Sequence, residues 1–152
     1  MGNDNIKIAI ASDHAGIDLK NKIIEFLEEK YTVKDFGTYD KQSCDYPVYA
    51  AKVAKAILNK EFDKGILICG TGIGMQIAAN RFKGIRAVCA ENSFSAKLSV
   101  EHNNSNVLTL GQRVIGEGLA KDIVTTWLNS VFLGERHERR VNMLDNLDKD
   151  NF

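Results

Sequence analysis

The chain has 152 residues with 20 basic and 20 acidic side chains, a formal net charge of zero. That balance argues against a nucleic-acid or membrane-surface protein, which carries a basic excess. An apolar content of 44% suits one globular domain over 1–152, and no apolar run approaches the roughly 20 residues of a membrane span.

Ile6 to Ala11 reads as a buried strand, broken only by Lys7, and it ends in Ser12-Asp13-His14-Ala15-Gly16. A helix follows with Ile17, Leu19, Ile23, Ile24 and Leu27 apolar and Lys20, Lys22, Glu25, Glu28 and Glu29 polar. Tyr31 to Phe36 is a second strand, and a loop continues to Asp45-Tyr46-Pro47. Pro47, the only proline, suits the first turn of a helix running to about Lys60, with Val48, Ala51, Val53, Ala54, Ile57 and Leu58 apolar. Gly65 to Arg81 reads as a strand, a glycine-rich turn and a helix. Ala87 to Ala90 is a fourth strand, and the helix from Ser93 to about Asn103 is expected to be capped by Ser93. Val107 to Leu110 is a fifth strand, followed by Gly111-Gln112-Arg113 and a helix over Ile115–Val131 with Leu119, Ile123, Trp127 and Leu128 on one face. After Gly134 the polar tail ERHERRVNMLDNL begins as a helix.

Strands alternating with helices imply βαβ units, and the apolar runs ILIC, AVCA and VLTL suit buried parallel strands. The expected fold is α/β: a doubly wound five-stranded parallel sheet in order 2-1-3-4-5, with helices on both faces and a C-terminal helical tail. Ligands in such sheets bind beyond the carboxyl ends of the strands, where the winding reverses. Here that crevice lies between strand 1, tipped by Asp13 and His14, and strand 3, tipped by Cys69 and its glycine loop.

Gly70, Gly72 and Gly74 follow Cys69 at alternate positions. Glycines let backbone N–H groups approach a ligand, and the helix start beyond them favours an anion. The plain alternative is a tight strand-to-helix turn. The loop is no dinucleotide fingerprint, because Met75 and Ile77 stand where a third glycine is required, although Glu91 lies near the distance of a ribose-binding acid. No GK[ST] follows, and Met75 replaces the arginine of cysteine phosphatases. Cys69 is either a core thiol or a reactive one. Cys89, inside an apolar strand, reads as core, and Cys44 as an incidental loop thiol. The three cysteines lack metal spacing, and an odd number with no visible signal peptide fits a reducing cytoplasm. Ile6 also breaks the myristoylation pattern. His102 ends a helix, where it can serve the dipole or a reaction. Arg136 and Arg140, four apart, either clamp one phosphate or belong with His137 and Arg139 to a solvated face.

SDHAG, DYP, ILICGTGIG, RAV, EHNN, LGQRV and GERHERRV, in this order along nearly the whole chain, resemble type B ribose-5-phosphate isomerase. That family also includes allose-6-phosphate isomerase and the galactose-6-phosphate isomerase subunits. The resemblance implies interconversion of ribose 5-phosphate and ribulose 5-phosphate through an enediolate, without metal or organic cofactor. It implies Cys69 as the base, since the glutamate that other members use is absent near Ile73. It implies His102 with Asp13 in ring opening, and the backbone from Gly70 to Gly74, with Thr71, at the enediolate oxygen. Asn103 is implied to hold a substrate hydroxyl, Tyr46 to pack beside the sugar, and His14, Arg113, Arg136 and Arg140 to bind phosphate. It also implies a homodimer, or a pair of dimers, with shared sites and the 134–152 tail reaching the neighbour. A six-carbon 6-phosphate as substrate, a nucleotide-binding module and a redox sensor at Cys69 remain the alternatives.

Overall fold

The computed structural model describes residues 5–149. Both ends of the 1–152 domain lie outside them, including the final residues of the tail and the first four of the N-terminal stretch. Five strands, β1 (Lys7–Ser12), β2 (Thr32–Asp35), β3 (Lys64–Cys69), β4 (Ala87–Cys89) and β5 (Val107–Gly111), form one parallel sheet. The helices are α1 (Ile17–Glu28), α2 (Tyr46–Leu58), α3 (Ile73–Ala79), α4 (Ser93–Glu101), α5 (Glu117–Asn129) and α6 (Arg136–Leu144), followed by a 3-10 turn at Leu147–Lys149. Among the described residues no helix is long and apolar enough to cross a membrane.

The sheet order is β2-β1-β3-β5-β4, which corrects the expected 2-1-3-4-5. The fully buried VLTLG strand takes the place beside β3, and three-residue β4, half-buried at Val88 and Cys89, is left at the edge. This changes the path of the chain. Moving from β4 back to β5 reverses direction, so a right-handed crossover places α4 on the opposite face from α3. Ala96 and Val100 of α4 accordingly pack with α1 and α5 against Ile8, Ile10, Ile66 and Ile68. On the other face α2 and α3 cover Ala9, Ala11, Leu67 and Cys69.

Helix details follow the same logic. Pro47 sits in the first turn of α2 as expected. The cap of α4 is Asn92, whose side chain accepts from the Ser95 N–H at 2.8 Å, not Ser93. Leu119, Val48 and Leu58 are exposed, and Ala120, Val124, Ala50 and Ala56 fill the buried stripes. Lys20, read as polar surface, is fully buried. Its ammonium donates to both Asp35 oxygens at 2.7 and 2.8 Å and to the Thr38 carbonyl at 2.6 Å. A buried charge is tolerated when paired in this way. The pair ties α1 to the end of β2 and to the loop after it.

At the amino end of β3, Lys64 donates to the Ser105 carbonyl at 3.0 Å and lies over the Trp127 ring. Burial, and then the Arg86 charge, push its ammonium down to about 8, with Asp63 opposing. The folded value is below the unfolded one, so Lys64 costs stability below pH 8, and that cost is relieved as pH rises from 8 to 10.5. Lys64→Met is therefore expected to be more stable than wild type at pH 7 by about 1–3 kcal/mol, allowing for the lost hydrogen bond. In urea titrations the gap should close toward pH 10. A gap that does not change with pH would show that Lys64 is not the titrating group.

Candidate active site

The carboxyl ends of β1, β3 and β5 meet in one place. Asp13 follows β1 and is buried, with its N–H on the Ile68 carbonyl at 3.2 Å. One carboxylate oxygen accepts from the Ala15 N–H at 2.9 Å. Gly16 permits the approach of this turn to β3, because a Cβ there would lie 2.5 Å from the Ile68 carbonyl oxygen. His14 is half-buried, and its Nδ1 accepts from the Cys44 N–H at 3.2 Å. That bond engages Nδ1 of the ring. Cys44 Sγ lies 3.9 Å from the same Nδ1, so the loop before α2 is tied to the tip of β1.

Cys69 ends β3 with its side chain buried. The Gly72 N–H donates to Cys69 Sγ at 3.1 Å. Gly72 has a φ of 81°, and a Cβ there would be 2.9 Å from both Cys89 Sγ and the Leu110 carbonyl carbon. Only glycine fits this turn. The Ile73 N–H is taken by Thr71 Oγ1 at 3.2 Å. The N–H groups of Gly70, Thr71 and Gly74 have no protein acceptor among the described residues. Two of the donors expected to face a ligand are thus used within the loop, and three remain.

The corrected strand order explains how Arg113 reaches this loop. With β5 beside β3, the Gln112 N–H donates to the Cys69 carbonyl and the Arg113 N–H to the Gly70 carbonyl, both at 3.0 Å. The exposed Arg113 guanidinium lies over Gly70, 3.3 Å from where a Cβ would stand, and the Tyr46 ring lies over Gly74 at 3.1 Å. Cys89 is not a core thiol. It is half-buried beneath the glycine loop, with Sγ donating to the Thr71 carbonyl at 3.6 Å. Burial is the main cause that raises its pKa, which keeps it a thiol.

His102 and Asn103 lie elsewhere. A helix in a βαβ unit runs antiparallel to the strands, so the C-terminal end of α4 is at the amino edge of the sheet. His102 caps that end. The loop after it is joined to the start of β3 through the Asn106 carbonyl, which accepts from the Gly65 N–H at 2.9 Å. Trp127 Nε1 to Ser105 Oγ at 2.7 Å, and Ser105 to Ser99 at 2.8 Å, anchor the loop from below. From Gly65 to Cys69 is four strand rises, about 13 Å.

The tail shares the His102 end. The Leu133 N–H donates to the Glu101 carbonyl at 3.0 Å, and the Asp145 carboxylate accepts from the Gly84 N–H at 3.0 Å. Helix α6 is thereby tied to its own chain. Arg136 and Arg140 are exposed, whereas His137, grouped with them as solvated, is buried with its ring stacked on His102. The structure thus forms two groups: Asp13, His14, Tyr46, Cys69, Thr71, the glycine loop with Ile73, and Arg113 at one end; His102, Asn103, Arg136, His137 and Arg140 at the other.

The ribose/galactose isomerase family profile matches residues 8–144. Ribose-5-phosphate isomerase B of Escherichia coli (strain K12) is 48% identical over 144 residues, covering 94% of this chain and 97% of that protein. A putative sugar phosphate isomerase of Bacillus subtilis (strain 168) is 47% identical over 148 residues, covering 96% and 99%. The crystal structure of a ribose 5-phosphate isomerase from Thermotoga maritima superposes with a TM-score of 0.92 at 52% identity, covering 93% of this chain and 98% of that one. Such similarity over both whole chains sets aside the non-enzymatic nucleotide-binding alternative. The chain belongs to the ribose/galactose isomerase family, among the type B ribose-5-phosphate isomerases, and is a sugar-phosphate aldose–ketose isomerase.

Proposed function

We propose that this enzyme interconverts ribose 5-phosphate and ribulose 5-phosphate, with Cys69 as the proton-transferring base. The observation that carries this reading is the buried Cys69 Sγ with a backbone donor on it, beside a loop with unengaged N–H groups. A thiolate there takes the proton from carbon 2 of the open-chain aldose. The electrons move into the carbonyl, and the enediolate oxygen is met by the N–H groups of Gly70, Thr71 and Gly74 and by the Thr71 hydroxyl. The same proton returns to carbon 1 while the hydroxyl proton of carbon 2 passes to the oxygen on carbon 1, which leaves a ketone at carbon 2 and a hydroxyl at carbon 1. No redox partner is needed, because the oxidation at one carbon balances the reduction at the next.

The site is completed by a second copy of the chain. The groups read as ring-opening acid/base and phosphate clamp, His102, Asn103, Arg136 and Arg140, lie about 13 Å or more from Cys69 along the sheet. A homodimer in which each chain supplies one group to the other joins them. Ile73 and Ile77 on α3 and Phe94 at the start of α4 are 52%, 56% and 72% exposed, apolar surface suited to such an association. His14 and Arg113 of one chain then share the phosphate with Arg136 and Arg140 of the other.

Purified protein given ribose 5-phosphate should produce the ketopentose phosphate, and Cys69→Ala should lower kcat by about 100-fold or more. Undiminished turnover by Cys69→Ala would remove the base assignment. Allose 6-phosphate and galactose 6-phosphate, assayed alongside, decide whether a hexose phosphate is the better substrate. Arg136→Ala and Arg140→Ala should chiefly raise KM, by roughly 1.5–3 kcal/mol of lost charge-assisted bonding each. An unchanged KM in both returns the tail to the solvated surface. Sharing of sites has its own measurement. Cys69→Ala and His102→Asn chains, each strongly slowed but with measurable residual turnover, are mixed under conditions of subunit exchange. Half the dimers are then mixed and each holds one intact site, so about a quarter of wild-type activity should appear. No recovery would mean that each chain builds its site alone.

A further inference from the structure

His137 is the one imidazole in the tail, and it is only 8% exposed although the flanking Arg136, Glu138, Arg139 and Arg140 are exposed. Its ring lies on that of His102 with centroids 4.3 Å apart and planes 8° from parallel. The turn that delivers it is unusual. Gly134 has a φ of 68°, and Glu135, a residue with a Cβ, is held at 50°. Side chains rarely adopt that conformation, and it persists only where surrounding contacts over-determine it. The contacts are visible: the His137 N–H closes the turn on the Gly134 carbonyl at 3.0 Å, and Leu133 is bonded to Glu101 next to His102.

We propose that His137 is a positioning residue for His102: its flat ring fixes the plane of the His102 imidazole and makes one rigid unit of that group and the phosphate arginines on α6. The inference rests on the role given to His102 in ring opening under the proposed function. It extends that role by naming what holds the ring. His102 itself caps α4, and the loop after it is anchored through Ser105 and Trp127. Without the stack the imidazole rotates about its side-chain bonds, and the proton-transfer geometry is lost in part of the population. Electrostatics agree with the stack. Burial first, then His102, Arg136 and Arg140, lower the pKa of His137, against Glu135. That direction disfavours a charge on the stacked ring. Stacking asks for a flat ring and no proton, so phenylalanine can replace it where alanine cannot.

The test is a double-mutant cycle on the full-length dimeric enzyme with ribose 5-phosphate. His137→Ala should lower kcat about 10- to 100-fold, the loss expected from a misplaced catalytic group. KM should stay within roughly twofold, unlike that of Arg136→Ala. His137→Phe should recover most of the rate. In the His102→Asn background, adding His137→Ala should cost nothing further, since the two act through one group. Additive losses, a loss appearing mainly in KM, or a Phe variant as slow as Ala would each overturn the positioning role and leave the isomerase reading intact. Wild-type protein inactive on every sugar phosphate would overturn both. A readout independent of turnover guards against simple misfolding: in His102→Asn the His137 Cε1 proton resonance should move downfield as the ring current of its neighbour is lost. An unmoved resonance would show that the rings do not stack in solution.

Discussion

The length of β3 is the constraint on which the arrangement of this molecule depends. It is the central strand, paired with β1 from Lys64 to Ile68 and with β5 from Gly65 to Cys69. Its carboxyl end holds Cys69, and its amino end is bonded to the loop after His102. A parallel strand buried on both faces cannot bend to bring its ends together. On the proposed reading, chemistry that needs both groups is shared between two chains.

At the carboxyl end, chemistry is placed by backbone. The Gly72 N–H on Cys69 Sγ, the Gln112 N–H on the Cys69 carbonyl and the Arg113 N–H on the Gly70 carbonyl bind the glycine loop to its strand and to β5. Side chains then fill what the glycines leave open, Arg113 over Gly70 and Tyr46 over Gly74. Lys20 works farther back. Its bonds to Asp35 and Thr38 hold the loop that runs on to Cys44, and the Cys44 N–H in turn holds His14 through Nδ1. A buried ion pair outside the site thus bears on how the His14 ring is held.

Much of this was legible in the sequence. Alternating apolar runs and amphipathic helices gave the fold class, and the winding rule put Asp13, His14 and Cys69 in one crevice. The order of β4 and β5 was not legible, because ordering depends on pairing partners and both runs are apolar. The charges flanking β4, Arg86 and Glu91, were the available sign that it is the shorter edge strand. Lys20 and His137 were misread for one reason: a polar residue is assigned to the surface unless its partner is known, and Asp35 and His102 are distant in sequence. Cys89 was misread because an apolar strand was taken as wholly interior, whereas its last residue lies under a loop. His102 and Asn103 could be named by their resemblance to a family pattern, but their distance from Cys69 appears only once α4 has a face and a direction.

The tail completes the account. A polar C-terminal segment that reaches a neighbour would ordinarily be disordered in the free chain and ordered on binding, at a cost that weakens association. Here α6 is held by its own chain through Glu101, Gly84 and the stack on His102. On the two-chain reading, each subunit presents a finished surface carrying imidazole and guanidinium groups at fixed separation, and dimerisation brings together two ordered half-sites. The strained backbone at Glu135 is then the local consequence of building that surface before the partner arrives.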